Sequence, residues 1–237
     1  TTLSVTHLYG FTEWIPYLQS FKEITIVLFL GYCILNIQQK FKWQWMDKIM
    51  AGFAIYAFLY ALLPIGSYGL TQKLLAFKSI SFFPFIYFTG RLINFKKINL
   101  NEVFSFIGLL TIGAALVLAY ELATYTHLQT HTGYALYNQH FYNQDPSGNY
   151  GLTWTFEIEN GMKRFASFFS TPLEFSAATL VATAALAALI TNNNNQIRFS
   201  PFTQIVLIGT VASIVFALSR ASFASYGIIV YVYAWVT

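Results

Sequence analysis

Two arginines stand where charge is least expected. Arg220 lies between two apolar runs, in Ala217-Leu218-Ser219-Arg220-Ala221-Ser222, and Arg164 follows Lys163 ahead of a Phe-rich stretch. An ionisable side chain in such a place is expensive and faces a cavity or a partner. Arginine stays charged and grips phosphate through parallel N–H bonds. The chemistry this suits is neutralisation of an anionic group, without a metal. The plain alternative is a long cation reaching from a helix end to an interface. For Arg164, beside Lys163, that alternative leads.

Other residues offer weaker chemistry. His127 and His131 are spaced to share a helix face, with His140 near. No Cys or carboxylate completes a metal set and no HExxH pattern occurs, so ordinary loop histidines are expected. Glu157 and Glu159 could act as a general-base pair, but a solvated acidic patch balancing Lys163 and Arg164 is expected. Glu121, near a helix end, is expected to reach the interface or pair with a cation. Tyr150 and Trp154 could stack on sugar rings; an interfacial aromatic belt is the alternative. Walker A, dinucleotide and nucleophile-elbow motifs are absent. Cys33 is the single cysteine, so there is no disulfide framework.

The elements that must position these residues are apolar helices. The chain is 56% hydrophobic and only 9% charged, against about 25% charged in soluble domains. So few charges cannot cover a water-facing surface. The cations are scattered rather than gathered, which does not suit nucleic acid. Spans are expected at 24–37 (short unless it extends back through Phe21), 49–65, 74–93 and 103–123. Pro64 and Gly66 close the second, and Lys78 and Pro84 interrupt the third. Lys40, Lys42 and Lys48 with Trp43 and Trp45 form a cationic interfacial belt, and Arg91, Lys96 and Lys97 follow the third span. The 125–163 stretch is polar and aromatic-rich, too aromatic for disorder, and Asp145-Pro146-Ser147-Gly148 fits a type I turn. Thr171-Pro172-Leu173-Glu174 reads as a capping box opening a fifth span to Ile190. Asparagines at 192–195 form a polar turn, and Ser200-Pro201 caps a sixth span running to Ser219. A seventh begins near Ala221.

The fold class expected is all-α, a polytopic transmembrane helical bundle with one large outward-facing loop. Its parts are about four N-terminal helices over 1–124, the loop over 125–163, and two helices and part of a third over 164–237. The Lys/Arg bias places the loops around Lys42, Lys96 and Arg198 in the cytoplasm, and the large loop outside. The fifth and sixth spans are equally long, each about 28 Å at about 1.5 Å per residue. That brings Arg164 and Arg220 to one depth near the outer rim. The chain does not begin with Met and stops inside an apolar run, so it is expected to be a fragment of a longer membrane protein.

Arg164-Phe165-Ala166-Ser167-Phe168-Phe169-Ser170-Thr171-Pro172 and the later Ser219-Arg220-Ala221 resemble the two signature stretches of the O-antigen ligase and O-antigen polymerase superfamily, and Lys22-Glu23 opening an apolar helix also fits. At the turn the family often has Asn-Pro-Asn, where this chain has Thr171-Pro172-Leu173. The resemblance implies a membrane glycosyltransferase of the bacterial inner membrane, working at its outer face. The donor would be a glycan on undecaprenyl pyrophosphate, and the acceptor a glycan or a lipid A core. Arg164 and Arg220 would stabilise the leaving pyrophosphate, with Ser167 and Ser219 as substrate-binding hydroxyls beside them. No cofactor is implied, and the other partners are membrane lipids and a chain-length regulator. The family's ligases use a histidine from a later loop as base, which would lie beyond residue 237. Two other classes stay open: a transporter or flippase, and a membrane assembly protein without chemistry.

Overall fold

A computed structural model describes residues 2–36, 41–63, 69–93, 99–143, 145–158, 162–191 and 197–236, the side chains at 71 and 75 aside. Lys40, Pro64, Gly66, Lys96, Lys97, Glu159 and the asparagines at 192–195 lie outside the described residues. In chain order the helices are α1 (Thr2–Leu8), α2 (Ile15–Leu35), α3 (Trp45–Leu62), α4 (Leu70–Leu92), α5 (Leu100–Thr124), α6 (Leu128–His131), α7 (Tyr134–Tyr142), α8 (Pro172–Ile190), α9 (Pro201–Ala217) and α10 (Arg220–Val236). Among the described residues, β-structure amounts to two isolated bridges, Glu157 with Lys163 and Thr191 with Ile197.

All seven expected spans fall on long helices. Four stretches are long and apolar enough to cross a membrane: Thr12–Leu35, Trp45–Leu62, Leu100–Thr124 and Pro172–Ile190. α4 carries Lys73, Lys78 and Arg91, and α9 and α10 are 17 residues each.

The chain divides into two compact units, Trp14–Ile98, and Thr1–Glu13 with Asn99–Thr237. The expected boundary after residue 124 does not coincide with this division, because α5 packs with α8 and α9.

In the Trp14–Ile98 unit α4 packs against both α2 and α3. Pro16 sits in the first turn of α2, where a missing N–H costs nothing, so the helix starts at Ile15 rather than residue 24. α3 likewise starts early, because the Gln44 N–H donates to Asp47 Oδ2 at 2.7 Å. Asp47 is buried. Arg91 grips it through two parallel bonds, Nε to Oδ1 at 2.9 Å and Nη2 to Oδ2 at 3.0 Å. With the Gln44 N–H and these two bonds, the Tyr87 hydroxyl makes a fourth donor to Asp47, at 2.7 Å. Arg91, expected only as a cation following the third span, is therefore a tie between α3 and α4. α4 runs unbroken through Pro84, as apolar helices with packed neighbours allow. Lys78 donates to Ser20 Oγ at 3.0 Å, linking α4 to α2.

In the other unit α8 touches α5, α9 and α10, and α5 packs on α9. The alanines of α8 present little bulk, so its neighbours come close. Gly108 on α5 serves the same end: a Cβ there would lie 2.8 Å from Phe202 Cζ of α9. Ala114, Leu118, Phe165, Phe175 and Ala217 form one core cluster, and Leu186, Ile190 and Val206 another. Both helix starts read from sequence are capped as expected at their N-cap residues, Thr171 and Ser200. The Thr171 box is only half formed. Thr171 Oγ1 accepts the Glu174 N–H, but the Glu174 carboxylate takes the Ser170 hydroxyl instead of reaching back.

The stretch between α5 and α8 is folded. Tyr134, Leu152, Phe156 and Ala166 make its own small core, and α7 packs on α1 through His7 against Tyr137, His140 and Phe141. The type I turn expected at Asp145 is displaced. The Ser147 N–H bonds Asp145 O at 2.8 Å, and the turn closes later, from Gly151 N–H to Gly148 O at 3.1 Å. The cause is distant in sequence. Glu157 accepts both the backbone N–H and the side-chain amide of Asn149, at 2.9 and 2.6 Å, and pulls the turn onto that residue.

Candidate functional site

The segment 164–171 lies between the Glu157–Lys163 bridge and α8, and its start is tied from outside. The Arg164 N–H donates to Phe156 O at 2.8 Å, and the Phe165 N–H to Phe216 O at 3.1 Å. The Arg164 Nε donates to Ala217 O at 3.1 Å. Leu218, with φ 48°, ends α9 in the left-handed region, and α10 begins at Arg220. The two arginine stretches therefore meet directly, through Arg164 and the residue three before Arg220.

Arg164 is half-buried, and burial pushes its guanidinium down from the ordinary arginine value. It still carries its charge at neutral pH, because arginine starts so high. Its Nε is used, while its two Nη nitrogens have no hydrogen bond to any described residue. Arg220 is exposed at the first residue of α10. A cation there adds to the positive end of a helix instead of offsetting it. The N-terminal turn of α8 lies alongside, since Ser176 Oγ and Ser222 Oγ are 2.9 Å apart. The N-terminal parts of α8 and α10 thus lie together, next to the Ala217 carbonyl that Arg164 grips, an arrangement whose helix dipoles favour an anion.

The serines expected to bind substrate are placed differently. Ser167 is fully buried. Its hydroxyl donates to Ala114 O at 2.8 Å, its N–H to Glu121 Oε2 at 2.9 Å, and its carbonyl accepts from Gln129 Nε2 at 2.7 Å. It is a strut of the site rather than a contact surface. Ser219 is also buried, and its hydroxyl donates to Ser222 Oγ at 3.0 Å. Trp154 is 59% exposed and keeps its ring open to a ligand. Tyr150 is half-buried, with Lys163 Nζ 4.7 Å from its ring centre and the His127 ring 5.6 Å away.

Three further expectations are corrected. Glu121 neither reaches the interface nor pairs with a cation among the described residues. It is fully buried and accepts two backbone N–H groups, from Leu128 and Ser167, both at 2.9 Å. Glu157 is buried against Asn149 rather than solvated. His127 and His131 do not share a face: His131 is exposed and His127 is enclosed by Tyr150, Phe156 and Phe165. Neither ring nitrogen of His127 has a hydrogen-bond partner among the described residues. Burial, then the Lys163 charge, push its pKa down to about 4. Glu121 had a sequence signal, a carboxylate in an apolar run; Gln129 had none.

No family model, curated protein or solved structure matches this chain.

Proposed function

We propose that the chain is a multi-pass membrane glycosyltransferase of polysaccharide or O-antigen assembly. It moves a glycan from an undecaprenyl-pyrophosphate donor to a sugar hydroxyl at the outer face of a bacterial inner membrane. The observation that carries this reading is the corner where the Arg164 side chain bonds Ala217 O, with its Nη nitrogens available beside the N-termini of α8 and α10. The acceptor oxygen attacks the anomeric carbon, the bond from that carbon to the pyrophosphate breaks, and the electron pair leaves on the lipid pyrophosphate. Fixed cations at that leaving group act where charge develops, with no reorganisation at the moment of reaction. The exposed Trp154 ring offers a stacking face for a sugar. The Lys/Arg bias supports placing this corner outward. The acceptor proton goes to a base that none of these residues supplies.

The test is Arg164→Ala or Arg220→Ala in the full-length protein, with Lys variants beside them. Loss of one charge-stabilising group lowers turnover about 100- to 1,000-fold, so polymer or ligated glycan disappears from gels while membrane insertion persists. Normal glycan profiles from both alanine variants refute the function.

A further inference from the structure

Among the described residues, Glu121 is the most deeply buried acid of the Asn99–Thr237 region and has no cation to balance it. The ion pairs among the described residues are Lys22 with Glu23 and Arg91 with Asp47. A buried carboxylate is costly, and an apolar side chain would close the same corner more cheaply. An apolar side chain could not hold two backbone amides, and that is what Glu121 does. Oε1 accepts the Leu128 N–H and Oε2 the Ser167 N–H.

Ser167 needs holding. Its φ of 53° lies in the left-handed region, which a residue with a Cβ adopts at a cost. Gln129, fully buried, grips the same segment from its carbonyl side, with Nε2 2.7 Å from both Ser167 O and Phe169 O. At the other end the Arg164 N–H is tied to Phe156 O. The backbone that carries the guanidinium is therefore clamped before and after it, and the second clamp is built on a side chain of α5.

We propose that Glu121, with Gln129 on the same segment, is a positioning residue for the anion site: it fixes the strained Ser167 turn that aims Arg164 at a pyrophosphate-bearing ligand. This rests on the function proposed above.

The test uses the full-length protein in nanodiscs, titrated with inorganic pyrophosphate, with the thermal midpoint recorded for each variant. Wild type binds, and Arg164→Ala weakens binding at least tenfold, the scale of one charge-assisted hydrogen bond. Glu121→Gln keeps the size but sets an amide donor against a backbone N–H. It weakens binding about tenfold, and in the Arg164→Ala background it weakens binding no further. A carboxylate that serves only the fold lowers the midpoint and leaves the affinity of the folded protein unchanged, and that result overturns the proposal. If Glu121→Gln does not insert, Gln129→Leu carries the same comparison. Loss in Arg164→Ala with wild-type affinity in both clamp variants overturns the positioning role alone. Wild-type affinity in Arg164→Ala, or no binding by wild type, overturns the anion site and the positioning role together.

Discussion

His127 makes the stability of the α5–α8 segment depend on pH. Its ring is enclosed by Tyr150, Phe156 and Phe165, with centroids 5.3 to 5.6 Å away, and neither nitrogen is bonded to a described residue. Burial pushes the folded pKa from 6.5 to about 4. The folded form then binds its proton later than the unfolded chain as pH falls. Between those two values the unfolded chain is protonated and the folded one is not, so stability is full above about 6.5 and drains away as pH falls towards 4. At about 1.4 kcal/mol per pH unit the total loss is about 3 kcal/mol. The perturbation is His127→Phe, which keeps an aromatic ring in an aromatic box and removes two polar atoms that lack partners. It is expected to raise stability at neutral pH by about 1 kcal/mol and to flatten the dependence between pH 6.5 and 4. The assay is the thermal midpoint in detergent across that range for both proteins, other acids being common to them. An equal loss of midpoint in wild type and variant refutes the reasoning, as does a variant that is less stable at neutral pH.

Two more outcomes follow from the packing. Gly148→Ala places a Cβ 2.5 Å from Leu152 O and 2.9 Å from Glu157 Oε1, so the turn must open. The stretch between α5 and α8 becomes less stable by about 1–3 kcal/mol and is cut faster in limited proteolysis, whereas an unchanged cleavage rate contradicts the clash. Asp47→Asn removes the charge that Arg91 and Tyr87 share. Its thermal midpoint falls further than that of Glu102→Gln, an exposed carboxylate bonded among the described residues to the Asn99 side chain, and equal midpoints would dismiss Asp47 as a tie between α3 and α4.

What could be read from sequence was local. The starts of α8 and α9 follow from a capping hydroxyl and a proline at adjacent positions, Thr171-Pro172 and Ser200-Pro201, and both were correct to the residue. The equal fifth and sixth spans expected from sequence are helices of 19 and 17 residues, α9 ending at Ala217 rather than Ser219, and the Arg164 stretch meets the Arg220 stretch through that Ala217 carbonyl. Some polar residues take their place from a partner far along the chain, which local patterns do not show. Glu121 meets Ser167 across 46 residues and Asp47 meets Arg91 across 44. Polar residues beside apolar runs look like interface residues until the fold pairs them. The Asp145 turn fits its local pattern, yet Glu157 draws the chain onto Asn149 instead. Ser167 had a suitable neighbour in Arg164, but nothing in its surroundings announced a left-handed backbone.

The hydroxyls of α10 bear on how the protein is assembled. Ser222 meets Ser176 of α8 at 2.9 Å, Tyr233 meets Thr191 at the far end of α8 at 2.8 Å, and Tyr226 meets Thr210 of α9 at 3.4 Å. In hydrocarbon an unbonded hydroxyl costs several kcal/mol. Read as the seventh span expected from sequence, α10 is thus a poor candidate to leave the translocation machinery by itself, and a good one once α8 and α9 are already there to receive it. The order in which the ribosome delivers these helices is the order in which their polar groups find partners. A rearranged chain that delivered α10 first would have to keep it among lipid headgroups until α8 arrived.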